Sequence, residues 1–305
     1  FSGAWSMKGR LLRGLVRLAG YLPWTVLHGL GRLLGWLLYR VNGEQAHVAR
    51  VNLGIAYPDM PPEQREALLR ASLRESAITF CELPRIWGAR EDLSYRVELN
   101  GLPDKVARLV AGGKGLIVAM PHHGNWEMVS AGIDRNLRVT GLYRPPRQAF
   151  LEPLMTEGRS IARINMVSTS RAGIKALHEA LRNQGVVVIL PDQVPKAAGA
   201  AAIAAPFFGR DSLTMVLLGR LASRHQAPVL FAWTERQPDG GYRMRYFEAE
   251  EAIRDPDPQV AATALNRAVE HCIEHRPAQN PWAYRRFAPC TTAQDTPSKR
   301  RRKAA

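Results

Sequence analysis

Gly115-Leu-Ile-Val-Ala-Met-Pro-His-His-Gly-Asn-Trp-Glu127 is the stretch on which the architecture of this 305-residue chain turns. Its apolar first half, bounded by a glycine and a proline, has the length and composition of a buried strand. The two histidines then fall at the C-terminal end of that strand, the edge of an open α/β sheet where ligands bind. Asn125 has the residue type of a helix cap, and Trp126-Glu-Met-Val-Ser-Ala131 follows as the first turns of a helix.

His122 and Glu127 are five positions apart, so they do not face each other on one regular helix, where neighbours are three or four apart. They meet if His122 lies in the loop and Glu127 on the first turn behind it. Glu127 would then accept a hydrogen bond from one ring nitrogen, fix the tautomer and stabilise the imidazolium formed when the other nitrogen takes a proton. This is the base and orienter of a triad without an enzyme nucleophile. The competing assignment is a pair of loop histidines and a solvated acid favoured by the helix dipole. No Gly-x-Ser-x-Gly elbow occurs, which argues against a serine hydrolase. Glu127 is the only acid beside the histidine pair, so no metal is expected there.

Working outward, residues 43 to 90 are helix-rich, with Pro61-Pro-Glu-Gln-Arg-Glu66 opening a helix in which acids lead and bases follow. Beyond Gly115, strands are predicted at Val139–Arg144, Gly185–Leu190, Pro228–Thr234 and Tyr242–Phe247. Ser170 caps a helix whose Ile174, Leu177 and Leu181 form one apolar stripe, and Gly185 ends it. This alternation predicts an α/β fold with a mainly parallel central sheet flanked by helices, preceded by an N-terminal membrane-associated helical segment. The expected division is a cloning remnant at 1–6, a membrane-associated helix at 7–42, a catalytic domain at 43–290 and a basic tail, expected to be disordered, at 291–305.

Lys and Arg number 42 against 27 Asp and Glu, a formal charge of +15 that calls for an anionic partner. The chain has no zinc-finger spacing and no RNP1-like run, so nucleic acid is not expected and anionic lipid is. Lys8, Arg10, Arg13 and Arg17 lead into Tyr21–Tyr39, about the length needed to span a bilayer. His28 and Arg32 near its middle, and Pro23, oppose spanning. Trp24, Trp36 and Tyr39 beside Arg32 and Arg40 suit a helix lying in the interface, so both placements stay open. The basic excess ahead of this segment favours the cytoplasmic side. As a separate anchor, it would be removable without abolishing catalysis. Cys81, Cys272 and Cys290 are too few and too scattered for a disulfide framework or a zinc site, which suits a reducing compartment.

His122-x4-Glu127, Tyr143-Arg-Pro-Pro146, Pro191-Asp-Gln193, Ala205-Pro-Phe-Phe-Gly209 and Trp282-Ala-Tyr-Arg-Arg-Phe287 carry a family resemblance. In kind and order they resemble the motifs of the bacterial lipid A biosynthesis acyltransferases, the late lauroyl/myristoyl group within the glycerophospholipid and lysophospholipid acyltransferase superfamily. With the basic apolar N-terminus, the resemblance covers nearly all of Met7 to Phe287. It implies transfer of a fatty acyl chain from an acyl thioester, carried by acyl carrier protein, to the hydroxyl of a 3-hydroxyacyl chain on a lipid A precursor. No cofactor beyond that thioester is implied. The implied partners are acyl carrier protein, an anionic glycolipid and the membrane, and the implied location is the cytoplasmic face of the bacterial inner membrane.

In that chemistry His122 is the general base and Glu127 its support. By the match to the family pattern, Arg144, Arg159 and Asp192 are the next substrate-binding positions. Arg144, after a predicted strand end, would hold a phosphate or sugar oxygen in a forked contact, Arg159 falls in a helical-looking stretch, and Asp192 would position an arginine or a substrate hydroxyl. Surface ion pairs and a turn cap are their competing roles. Asn125 and Gln193 complete the candidate set, with loop building as the alternative. Backbone N–H groups at Gly124 and Asn125 are candidate oxyanion donors. Ala197–Ala205 departs from the family pattern in its alanine content and is either a lid beside an acyl groove or a solvent loop. The rival functions are a related acyltransferase acting on another glycolipid, an aminolipid or a lysophospholipid, and a non-catalytic basic peripheral membrane protein.

Overall fold

A computed structural model describes residues 7–88, 93–132, 136–145, 152, 156, 164–195 and 201–287. The terminal segments assigned above at 1–6 and 291–305 lie outside them, as does the stretch 196–200 of the alanine-rich segment. Four helices come first: α1 (Met7–Ala19), α2 (Trp24–Val41), α3 (Glu44–Ala56) and α4 (Pro62–Gly88). The α/β part follows with β1 (Val97–Glu98), α5 (Leu102–Ala111), β2 (Leu116–Ala119), β3 (Val139–Tyr143), β4 (Asn165–Ser168), α6 (Arg171–Arg182) and β5 (Val186–Ile189). It is completed by β6 (Ala202–Phe207), β7 (Arg210–Met215), α7 (Leu217–His225), β8 (Val229–Arg236), β9 (Tyr242–Glu248) and α8 (Pro258–His275).

Seven strands form one sheet in the order β1-β9-β8-β2-β5-β3-β4. Every pairing from β8 through β2, β5 and β3 to β4 is parallel, and β9 runs antiparallel to β8. The fold is therefore α/β with a mostly parallel central sheet flanked by helices. Central parallel strands are covered on both faces, which is why β2 and β5 are unbroken apolar runs with every residue buried. Side chains alternate between faces along a strand. Ile117, Ala119, Val187 and Ile189 enter one core with Leu177 and Leu181 of α6, Leu221 of α7 and Leu265 of α8. Leu116, Val118, Val186 and Val188 enter the other with Leu102 of α5 and Met128.

The N-terminal segment is two helices rather than one, because Pro23 cannot continue a helix and takes the N-cap position of α2. Among the described residues no helix is long and apolar enough to cross a membrane. One face of α2 is packed inward: Leu27, His28, Gly31 and Gly35 are buried, at helical spacing. A Cβ at Gly31 or Gly35 would sit 2.5 Å from the Ile78 Cα or 2.4 Å from the Arg74 Cα, so the missing side chains allow α2 to lie directly on α4. The other face and α1 leave Leu11, Leu15, Leu18, Tyr21, Leu30, Leu33 and Trp36 exposed, Tyr21 at 82%.

Pro206-Phe-Phe-Gly209 is the end of a hairpin. β6 and β7 pair antiparallel, and Phe208 and Gly209 both take positive φ, at 48° and 72°, as a tight two-residue turn requires. Phe207 is core, and Phe208 packs against Tyr57 and Trp282. From Ala202 onward the alanine-rich segment is strand, neither lid nor solvent loop.

Candidate active site

β2 and β5 are neighbours in register, with Ala119 opposite Ile189. Each continues through one apolar residue and a proline, so His122 and Asp192 emerge three positions beyond that pair at the C-terminal edge of the sheet. There His122 Nδ1 lies 2.7 Å from Asp192 Oδ1, and the His122 backbone N–H donates to Asp192 Oδ2 at 2.8 Å. Burial alone would raise the Asp192 carboxyl. The charge of His122 and its two hydrogen bonds outweigh that and hold it below the ordinary carboxylate value. An ionised Asp192 accepts the Nδ1 proton, which leaves the Nε2 lone pair free for base chemistry. Gln193 Nε2 lies 3.2 Å from that nitrogen, and Trp126 meets the ring edge-on at 5.0 Å between centroids.

Asp192 thus occupies the place at Nδ1 that the spacing argument assigns to Glu127. The reason is geometrical: parallel register brings the ends of β2 and β5 together, whereas Glu127 follows on the 3₁₀ helix Trp126–Gly132, where it is buried. The pattern was present in the sequence as Ala-Met-Pro-His122 and Ile-Leu-Pro-Asp192, two apolar strands each followed by proline and a polar residue at the same offset.

The loop behind His122 is held from several elements. Gly124, at φ 62°, approaches β8 so closely that a Cβ would lie 1.7 Å from the Thr234 carbonyl oxygen. The Gly124 N–H donates to the Gln279 carbonyl at 3.0 Å, so this group is not available as an oxyanion donor. The Thr234 hydroxyl donates to the Asn125 carbonyl. Asn125 does not turn toward the ring of His122; its amide donates to Glu82 Oε2 at 2.7 Å. Glu82 and Arg236, which carry no motif in the sequence, are buried behind the loop. Arg236 donates to both Glu82 oxygens, at 2.9 and 2.6 Å.

His123 is fully buried, and burial pushes its pKa down to about 3, so it is a neutral ring rather than a second base. Arg144 is exposed immediately after β3, and its positive charge acts to lower the Tyr284 phenol pKa against the rise due to burial. Tyr284 in turn accepts the Val194 N–H at 2.8 Å, so the C-terminal motif ties down the Asp192 loop. Arg286 is structural, donating to the Leu213 carbonyl and the Asn266 amide oxygen at 2.9 Å each. Arg159 lies outside the described residues. A His-x-x-x-His pair also occurs away from the loop, His271 and His275 on α8, with ring centroids 5.0 Å apart. Among the described residues no group of three metal-ligating side chains forms there or elsewhere.

An imidazole at the carboxyl edge of a parallel sheet, with a partly buried carboxylate on its Nδ1, is an arrangement that can support the proton transfers of acyl transfer. The family model described as bacterial lipid A biosynthesis acyltransferase matches residues 9–288. The chain belongs to that family. Three relatives illustrate the range within these lipid A acyltransferases. The lipid A biosynthesis lauroyltransferase of Escherichia coli K12 is 25% identical over 282 residues, covering 90% of this chain and 89% of the relative. The palmitoleoyltransferase of the same strain is 26% identical over 280 residues, covering 90% and 89%. A lipid A biosynthesis acyltransferase of Haemophilus influenzae is 26% identical over 272 residues, covering 87% and 85%. At such identities the acyl chain named for a relative does not carry over to this lipid A acyltransferase.

Proposed function

We propose that the protein transfers a fatty acyl chain from acyl-acyl carrier protein to the hydroxyl of a 3-hydroxyacyl chain on a lipid A precursor, a late secondary acylation in lipopolysaccharide biosynthesis. The observation that carries the proposal is the His122–Asp192 pair at the sheet edge in a chain of this family. His122 Nε2 takes the acceptor hydroxyl's proton as its oxygen attacks the thioester carbonyl, and returns the proton to the leaving thiolate. Asp192 holds the tautomer and stabilises the imidazolium. Glu127, buried behind the loop, adds electrostatic support. Gln193 vacates Nε2 as the hydroxyl enters, and Arg144 and Arg159 hold anionic headgroup oxygens. Asn125 acts through the loop. The thioester is the only cosubstrate required, with no metal or other cofactor.

The protein is proposed to work at the cytoplasmic face of the bacterial inner membrane. The exposed apolar residues of α1 and α2 lie beside exposed Arg17, Arg32 and Arg40, and the chain carries +15 overall. This combination suits a helix pair lying in an anionic interface. The test is mass spectrometry of purified protein with acyl-acyl carrier protein and a tetra-acylated lipid A precursor, where a gain of one acyl group is expected. Acylation of a lysophospholipid with no lipid A product would overturn the acceptor assignment, and no acyl transfer to any lipid would overturn the reaction.

A further inference from the structure

Glu82 belongs to α4, an element the proposed chemistry does not use, yet its completely buried carboxylate joins three other parts of the chain. Oε1 accepts from His28 Nε2 of α2 at 2.8 Å and from Arg236 Nε at the end of β8 at 2.9 Å. Oε2 accepts from Arg236 Nη2 at 2.6 Å and from the Asn125 amide at 2.7 Å. Arg236 also donates to Glu75 and Thr79 of α4, each at 2.7 Å. Its backbone exchanges two 2.9 Å hydrogen bonds with the Gln279 side chain, while the Gln279 carbonyl receives the Gly124 N–H.

Burying a charged pair is costly, and apolar side chains of similar volume would stabilise a core as well. The distinctive product of this cluster is directional. It fixes the Asn125 side chain, three residues after His122 and adjacent to the Trp126 ring that meets His122. A base displaced by about 1 Å loses about 10²-fold in rate.

We propose that Glu82 is a positioning residue: through Asn125 it sets the loop that carries His122, and through His28 it makes that setting depend on α2. The proposal rests on the acyl-transfer reading for its kinetic arm but not for its spectroscopic one. Three proteins are compared with the full-length enzyme in detergent: Asn125→Ala, Glu82→Gln and the double variant. The expected result is a kcat lowered about 10²-fold in Asn125→Ala with KM for both substrates within about threefold, and a double variant no slower than the slower single. In parallel, NMR with ¹⁵N-labelled histidine follows the His122 Nδ1 proton held by Asp192, which should broaden or shift in Asn125→Ala. His28→Phe should move the same signal in the same direction.

Asn125→Ala leaves the Glu82–Arg236 pair intact, so the proposal stays open to refutation if Glu82→Gln fails to fold. A lowered melting temperature with kcat within about twofold and an unmoved His122 signal would overturn it, since a merely structural contact gives that pattern. A wild-type protein that transfers no acyl group overturns the reaction instead. The histidine spectrum then decides the positioning role alone.

Discussion

Asp192→Asn separates the two acids that compete for the role of support to His122, the proposed base. Asp192 serves two donors of His122, the ring Nδ1 at 2.7 Å and the backbone N–H at 2.8 Å. Asparagine has one acceptor oxygen, so its NH₂ must face one of them. If the oxygen keeps the backbone N–H, the amide points at Nδ1 and drives the proton to Nε2, which removes the lone pair the reaction needs. If the oxygen keeps Nδ1–H, the tautomer survives but the charge opposite the imidazolium is gone. Unit charges about 4 Å apart at an effective dielectric of about 20 interact by about 4 kcal/mol. With each 1.4 kcal/mol about tenfold, either outcome predicts a kcat loss of about 10²–10⁴, the range of a whole general base. The assay is the initial rate of acyl gain by the lipid acceptor at saturating donor, with circular dichroism confirming the fold. Glu127→Gln, lacking the Nδ1 contact, should lose less. The reasoning is refuted if Asp192→Asn stays within about threefold of wild type while Glu127→Gln is inactive.

Burial would raise the Glu82 carboxyl, but the charge of Arg236 and hydrogen bonds from His28 and Arg236 bring it from 4.5 to about 2. A depressed carboxylate stabilises the fold above its unfolded value and loses that contribution as pH falls through its folded one. The stability difference between wild type and Glu82→Gln in urea melts should therefore be constant above about pH 5 and shrink between 4.5 and about 2, by a contribution on the order of 3 kcal/mol; His123, held neutral by burial, adds a separate fall below about pH 6.5 that both proteins share. Gly35→Leu must push α2 from the Arg74 backbone and should lower stability by at least about 1–3 kcal/mol in thermal melts. Gly29→Ala, with nothing within 4 Å of its Cβ, should instead gain up to about 1 kcal/mol. Gly124→Ala cannot keep its loop against the Thr234 carbonyl and should abolish turnover while a folded protein persists by circular dichroism. Deleting residues 7–41 should lower the melting temperature and strip most turnover even on detergent-dispersed substrate, because it removes His28 from Glu82; unchanged activity would show α2 to be a detachable anchor.

The sheet was largely legible because its central strands are buried on both faces, so β2, β5 and β8 stand out as apolar runs between breakers. β4 was not, since Asn165–Ser168 is a short, half-buried edge strand without alternation. The hairpin β6–β7 was hidden by alanines and by Pro206, and its Phe-Gly turn needs two positive φ values that the residue types do not announce. At the site, His122 and Asp192 were each readable as candidates at strand ends, but their contact with each other was not. Spacing along one segment pointed to Glu127, whereas the contact depends on which strand pairs with β2. His28, Glu82, Asn125 and Arg236 could not be associated from sequence at all. They lie on α2, α4, β8 and the His122 loop, and locally Asn125 looks like a cap, Glu82 and Arg236 like ordinary surface charges, and His28 like a flaw in an apolar segment.

The composition of α2 makes sense once both of its faces are considered. A helix that is apolar nearly all round, with a histidine and glycines inside it, reads as a flawed membrane span. In the folded chain three of the apparent flaws lie on the inner face, where Gly31 and Gly35 admit α4 and His28 donates to Glu82, while Gly29 and Arg32 stay exposed. The apolar remainder is what solvent, or an interface, meets. A Glu82–Arg236 pair at this junction contributes little net stability compared with hydrocarbon of equal volume, but removing one partner strands a buried charge. Such a pair penalises every arrangement in which α2, α4, β8 and the His122 loop are not all in place.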